Sequence, residues 1–154
     1  MDISARTEYA IRAVLILARA QGDGVDPVPA DELATEQGLP RKFLEAILAD
    51  LRRGGVVSSQ RGASGGYRLS RPAEQISIGA IFRAVDGPLA EVRGLRPHET
   101  TYQGVAEHLP TLWVAVRASL REVLDTVTVA QLLQGDFPDP VPRLLEAPDA
   151  WVNR

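Results

Sequence analysis

The chain has 154 residues, 45% of them hydrophobic, with 17 Lys/Arg against 20 Asp/Glu and a formal net charge of −3, enough for one domain, or one domain with an extended arm. It contains no cysteine, which excludes disulfides, thiol nucleophiles and cysteine-ligated zinc or iron–sulfur centres, and its two histidines, His98 and His108, are too few for a histidine-rich metal site. No apolar run reaches the roughly 18 residues a membrane span needs, and the charged, helically periodic N-terminus is unlike a secretory signal, so the expectation is a soluble cytoplasmic protein with no cofactor.

Ser4 is placed to cap a first helix reaching about Gln21, since its hydroxyl can accept from the free N–H groups of the first turn. Tyr9, Ala13 and Leu17, with Ala10 and Val14, recur at helical spacing and form one apolar stripe. Glu8 and Arg12, at i,i+4, read as a surface ion pair. After a loop over 23–27, Pro29 precedes a short helix, Ala30 to Gln37, with Leu33 and Ala34 inward. Gly38 makes the turn. Pro40 suits the first turn of the next helix, whose Leu44, Ile47, Leu48 and Leu51 define a buried face. Gly54-Gly55 ends that helix.

Two short β-type runs follow, Val56 to Gln60 and Gly66 to Leu69. They are joined by a loop with Arg61 at its start and three glycines, more than hairpin closure alone requires. Ser77 caps a helix over Ile78 to Val85, stopped by Asp86-Gly87-Pro88. Leu89 to Thr101 lacks a period and reads as loop. Pro110 opens a helix to about Asp125, in which Trp113, Val116, Leu120, Val123 and Val127 follow an a/d seam. Thr128 caps a last short helix to Gln134. The remainder, with four prolines, reads as an irregular tail whose Trp151 is a candidate for docking on the body.

Helix, turn, helix, β-hairpin is the order of a winged helix-turn-helix. The expected fold is mainly α with a small β-hairpin wing and a long dimerisation helix. Residues 1–88 form the winged helix-turn-helix, 89–134 the loop and dimerisation helix, and 135–154 the tail. Residues 41–71 carry a local charge of +5 and residues 73–154 a local −4. A basic segment inside an acidic chain is an electrostatic footprint for a polyanion.

The major groove of duplex DNA admits one α-helix, which a helix-turn-helix presents by its N-terminal residues. Here those are Arg41, Lys42, Phe43 and Glu45. Arg41 suits guanine or phosphate, Glu45 the cytosine amino group, and Phe43 either a thymine methyl or the core. Arg61, on a glycine-rich wing whose Gly62 permits close backbone approach, suits the narrow minor groove. Ser59, Ser64 and Arg68 are candidate phosphate contacts, Arg68 serving equally well as a cross-strand pair. No nucleophile–base pair, metal spacing or phosphate loop points to an enzyme. The competing reading is a protein-interaction module that has lost DNA binding, and the basic set Arg41, Lys42, Arg61 and Arg68 argues against it. A small-molecule or protein effector remains unassigned, with His98, Tyr102, His108 and Trp113 near a candidate pocket.

Three strings, ISARTEYAIRAVLILA, LATEQGLPRKFLEAILADLRRGGVVSSQRGASGGYRLSR and ISIGAIFRAVDGPL, resemble the bacterial Rrf-two family of transcription regulators. The resemblance covers about residues 1–134, and VVSSQRGASGGYRL is its most specific part. It implies a homodimer built on the Trp113-to-Val127 seam and binding to a palindromic promoter site; the leading expectation is a repressor, with activation the alternative. Cluster-sensing members carry three cysteines before the dimer helix. The corresponding EVRGLRPHETTYQGVAEHLP has none, so the chain looks more like the clusterless branch that includes a cysteine-metabolism repressor. Glu8 falls where some members use a carboxylate as a cluster ligand. Pro40 replaces a capping serine common in the family.

Overall fold

A hydroxyl that accepts from an orphan N–H starts the first element. In the computed structural model, which describes residues 2–152, Ser4 accepts from the Thr7 N–H and opens α1 (Ala5–Asp23). Gly22 lies inside this helix, and the Gly24 N–H closes it on the carbonyls of Ala20 and Gln21. Next come α2 (Ala30–Gln37) and α3 (Arg41–Arg53). Pro40 is the extended residue before α3, not part of its first turn.

Strands β1 (Val57–Gln60) and β2 (Gly66–Leu69) pair antiparallel, with Val57 opposite Leu69 and Gln60 opposite Gly66. The segment before α2 adds a rung, Val28 and Tyr67 exchanging both backbone hydrogen bonds at 2.8 Å. Helix α4 (Ile78–Val85) is capped by Ser77, and α5 spans Leu109–Leu124. Thr128 and Gln131 form a capping box on α6 (Val129–Gln134). The presumed loop before α5 contains two 3₁₀ turns, Pro97–Glu99 and Gly104–Ala106.

The α3 periodicity translates directly into packing. Leu44, Ile47, Leu48 and Leu51 are completely buried against Ala10, Val14 and Leu17 of α1, Leu33 of α2, Val56, and Ile76 and Ile81 around α4. Burying side chains of this size removes roughly 1.5–3 kcal/mol of apolar exposure each. A methyl group at Gly54 would stand 2.5 Å from the Ala84 Cβ, so glycine there lets α4 press on the end of α3.

Two carboxylates complete the frame. Asp50 of α3, only 6% exposed, pairs with both Arg6 of α1 and Arg53 of its own helix. Asp86, after α4, accepts from Ser4 Oγ at 2.9 Å and Thr7 Oγ1 at 2.5 Å.

Helix α5 packs along its side against the Pro97–Glu99 turn and is tied to the body just past its C-terminal end. After it, Val127 accepts from the Ile78 N–H, Val129 donates to Ile76, and Arg83 of α4 reaches Asp125 at 2.6 Å. No residue of α5 is buried in the protomer. Val127, expected as the last seam position, lies beyond α5 and is 5% exposed in the protomer core, so the exposed seam ends at Val123. The tail is not irregular throughout. It carries α7 (Val141–Leu145), tied to α5 by Arg143–Glu122 at 3.1 Å. Trp151 does not dock on the body and is 78% exposed.

Candidate nucleic-acid interface

Helix α3 buries one face completely, so the first-turn side chains on its other face are held outward by a rigid anchor. Arg41, Lys42, Phe43 and Glu45 are all exposed. Phe43 divides its surface between two surroundings, meeting Tyr9 edge-on at 5.9 Å while staying 42% exposed. Lys42 has no charged or hydrogen-bonding partner among the described residues.

Arg41 is held by two carboxylates. Its Nε donates to Glu45 at 2.9 Å, and its terminal nitrogen reaches both oxygens of Asp31 on α2 at 2.9 and 3.0 Å. These partners raise the Arg41 pKa above its ordinary value, the Glu45 hydrogen bond first and the Asp31 charge next. The guanidinium is therefore a fixed cation at any working pH, and its fork is oriented before any ligand arrives. The sequence reading missed Asp31; its signal was an acid in the first turn of α2, facing the start of α3 across a short turn.

The wing stands opposite. Arg41, Glu45, Ser59, Arg61 and Gly62 line one cleft of about 360 Å³ between the α2–α3 corner and the hairpin. Arg61 is exposed and has no partner among the described residues. Arg52 donates to Ser59 Oγ at 3.3 Å, joining α3 to the first wing strand. Ser64 is exposed at the wing tip, outside this cleft. Arg68 is a cross-strand residue here, bonded to Gln60 and 4.0 Å from Asp26.

The wing glycines are not surplus to closure. Gly62 has φ +105°, a Cβ on Gly65 would lie 2.3 Å from the Gln60 carbonyl oxygen, and one on Gly66 would lie 2.3 Å from that of Val28. Each glycine is required by the hairpin and the extra rung, which leaves Arg61 as the wing residue suited to DNA.

The residues around the expected effector pocket are dispersed. His98 faces Arg117, Tyr102 lies under Arg93 with its ring centroid 5.7 Å from the guanidinium, His108 is beside Glu107 at the start of α5, and Trp113 lines a cleft beside the 90–93 loop. Glu8 pairs with Arg12 at 3.6 Å.

Residues 3–135 match the model of the Rrf2 family, described as an iron-dependent transcriptional regulator. A Mycobacterium tuberculosis protein designated an HTH-type transcriptional regulator, Rv1287, is 43% identical over 95% of this chain and 89% of its own. The HTH-type transcriptional regulator CymR of Bacillus subtilis is 33% identical over 86% of this chain and 89% of its own. The solved structure of CymR, the global cysteine regulator of B. subtilis, superposes with a TM-score of 0.71 at 30% identity, covering 88% of this chain and 98% of that one. The structure of T. potens IscR superposes with a TM-score of 0.68 at 33% identity, covering 89% of each.

The donor set here does not fit the iron named in the family description. The chain offers no thiolate, and among the described residues no three His, Asp or Glu side chains come together to hold a metal ion. With the fold, the reading helix, the wing and the sequence match in agreement, the chain belongs to the Rrf2 (Rrf-two) family of winged helix-turn-helix transcriptional regulators.

Proposed function

We propose that this protein is a homodimeric, cytoplasmic regulator that binds a palindromic promoter site in double-stranded DNA and represses by occupying it. The observation that carries the reading is the cleft shared by the first turn of α3 and the wing, with Arg61 and Lys42 lacking any partner among the described residues. Cations left unpaired on a convex helix and its adjoining hairpin are suited to phosphates and groove floors. Glu45 and the oriented Arg41 would read base edges in the major groove. Arg61 would enter the minor groove, and Lys42, Ser59 and Ser64 would hold the backbone. Arg68 would contribute through hairpin stiffness more than through direct contact.

Dimerisation is supported by α5. Val116 is 40% exposed, and Leu120 and Val123 border an apolar cavity of about 620 Å³ that Leu144 of α7 also lines. Trp113 extends the same face. A second copy covering this stripe would bury it and place two reading heads on successive turns of the duplex, which calls for an inverted repeat. Two heads bound across a promoter exclude other proteins from it, the simplest route to repression. Among the described residues no helix is long and apolar enough to cross a membrane.

The test is selection of genomic DNA fragments by the purified protein at two salt concentrations. A palindromic motif with half-sites a helical turn or more apart, together with a steep salt dependence, is expected. Weak, motif-free enrichment that disappears with salt would overturn the reading in favour of a protein-interaction module.

A further inference from the structure

About half of the described arginines are tied to carboxylates: Arg6, Arg12, Arg19, Arg41, Arg53, Arg68, Arg83 and Arg143. Those without a carboxylate within 4.0 Å, among the described residues, fall in two places. Arg52, Arg61 and Arg71 belong to the end of α3 and the wing. Arg93, Arg96, Arg117 and Arg121 surround the loop before α5, far from the reading head in sequence. Arg93 is satisfied by the face of Tyr102, and the other three converge.

Together with Arg83, Arg96, Arg117 and Arg121 line a cavity of about 500 Å³ between the end of α4, the 88–98 loop and the side of α5. Glu91 is the single acid in its lining against four arginines, of which Arg83 is also held by Asp125 at 2.6 Å and the other three have no carboxylate partner among the described residues. His98 completes the wall. The Arg117 guanidinium approaches its Nδ1 at 3.2 Å, so Nδ1 is the acceptor and Nε2 carries the hydrogen.

We propose that this cavity binds a small metabolite carrying two or more anionic groups, carboxylates or phosphates. The volume is within the roughly 300–1,000 Å³ of small-molecule sites. Guanidinium forks recognise carboxylate and phosphate alike by paired N–H···O bonds, and the His98 Nε2–H adds a donor. A second copy of the chain is a poor occupant. The acids near the end of α5, Glu122 and Asp125, are already paired with Arg143 and Arg83, so a partner helix brings no free carboxylate from that region.

Calorimetric titration of the full chain at constant ionic strength, with citrate, pyrophosphate and acetate as probes, tests this. Citrate or pyrophosphate should saturate one site per protomer with a Kd below about 1 mM, while acetate should not. Binding of citrate alone points to polycarboxylates, and of pyrophosphate alone to phosphates. Arg96→Gln with Arg121→Gln should raise that Kd at least about tenfold, and Arg12→Gln should not change it. Should the double variant fail to fold, Arg121→Gln alone, an exposed position on α5, carries the comparison. The proposal is overturned if neither probe binds saturably by about 10 mM, or if the arginine variant binds as well as the parent. It is equally overturned if light scattering shows that the variant has merely lost a dimer, since the arginines would then be holding a second copy.

Discussion

Replacing Glu45 by alanine separates base reading from backbone attraction. In the free protein, Asp31, Arg41 and Glu45 form one cluster of net charge −1, with Arg41 bonded to Glu45 at 2.9 Å and to Asp31 at 2.9 and 3.0 Å. Glu45→Ala brings the cluster to neutrality and frees the Nε edge of Arg41, while Asp31 still orients the other edge. Two effects follow with different signatures. Loss of a carboxylate that accepts from cytosine should flatten discrimination at one base pair per half-site by roughly 5- to 150-fold. Gain of one positive charge against the backbone should steepen the salt dependence by up to about 0.9 in the log–log slope, so about 3.5-fold more affinity is lost between 50 and 200 mM salt. Fluorescence anisotropy on a set of half-site variants at several salt concentrations reads both. A uniform fall in affinity for every sequence with an unchanged salt slope would show that Glu45 only supports the helix, and would refute the reasoning.

Arg61→Ala should weaken operator binding and reduce A·T preference at the flanks in the same assay; unchanged affinity at matched salt would remove the wing from the interface. Val116→Asp with Leu120→Asp should yield a folded monomer with little specific binding, since two carboxylates would enter the apolar stripe of α5. Light scattering showing a persistent dimer would sink that seam. Asp50→Asn should destabilise the protein by about 1–3 kcal/mol, because a buried acceptor serving two arginines loses its charge. The figure is held below that of a fully buried pair because Arg6 and Arg53 remain partly solvated, and urea unfolding with an unchanged midpoint would contradict it.

What the sequence disclosed depended on how far apart the interacting residues lie. The buried face of α3 was legible because Leu44, Ile47, Leu48 and Leu51 repeat with the helical period, and the α6 start because Thr128 puts a capping hydroxyl just before it. The candidate site residues were named from position in a helix-turn-helix, and five of them share one cleft. The misses are cases where the deciding partner is remote. Asp50 enters the sequence only as one acid within the basic 41–71 segment, yet Arg6 makes it a buried strut between α1 and α3. Gly66 counted among three glycines in excess of hairpin closure, yet the Val28 carbonyl leaves no room for a side chain there. Val127 continued an a/d spacing, but spacing does not distinguish a protomer core from a dimer seam once the helix carrying it has ended. The position of Arg41 between Asp31 and Glu45 depends on the angle between two helices, which no local pattern encodes.

The arginine cavity and the reading head are connected by a short chain of rigid contacts, which makes one further result calculable in form. Arg83 lines the cavity and also holds Asp125 at 2.6 Å. Its neighbour Ala84 bears on Gly54, where α3 turns into the wing. Asp86, at the end of the same helix, holds Ser4 and Thr7 at the start of α1, and Arg6 in that same turn holds Asp50 of α3. An anion that competes with Asp125 for Arg83 therefore acts on a helix touching α3 both directly and through α1. Citrate at saturation, compared with a salt control of equal ionic strength, should change operator affinity by a factor within the roughly 5- to 150-fold range of ordinary coupling. The Arg96→Gln/Arg121→Gln variant should show no such change. Because coupling of binding free energies is reciprocal, operator DNA must change the citrate Kd by the same factor and in the same direction. A citrate effect on DNA without that matching effect on citrate would mean that the ion is competing for the DNA surface and not acting from the cavity.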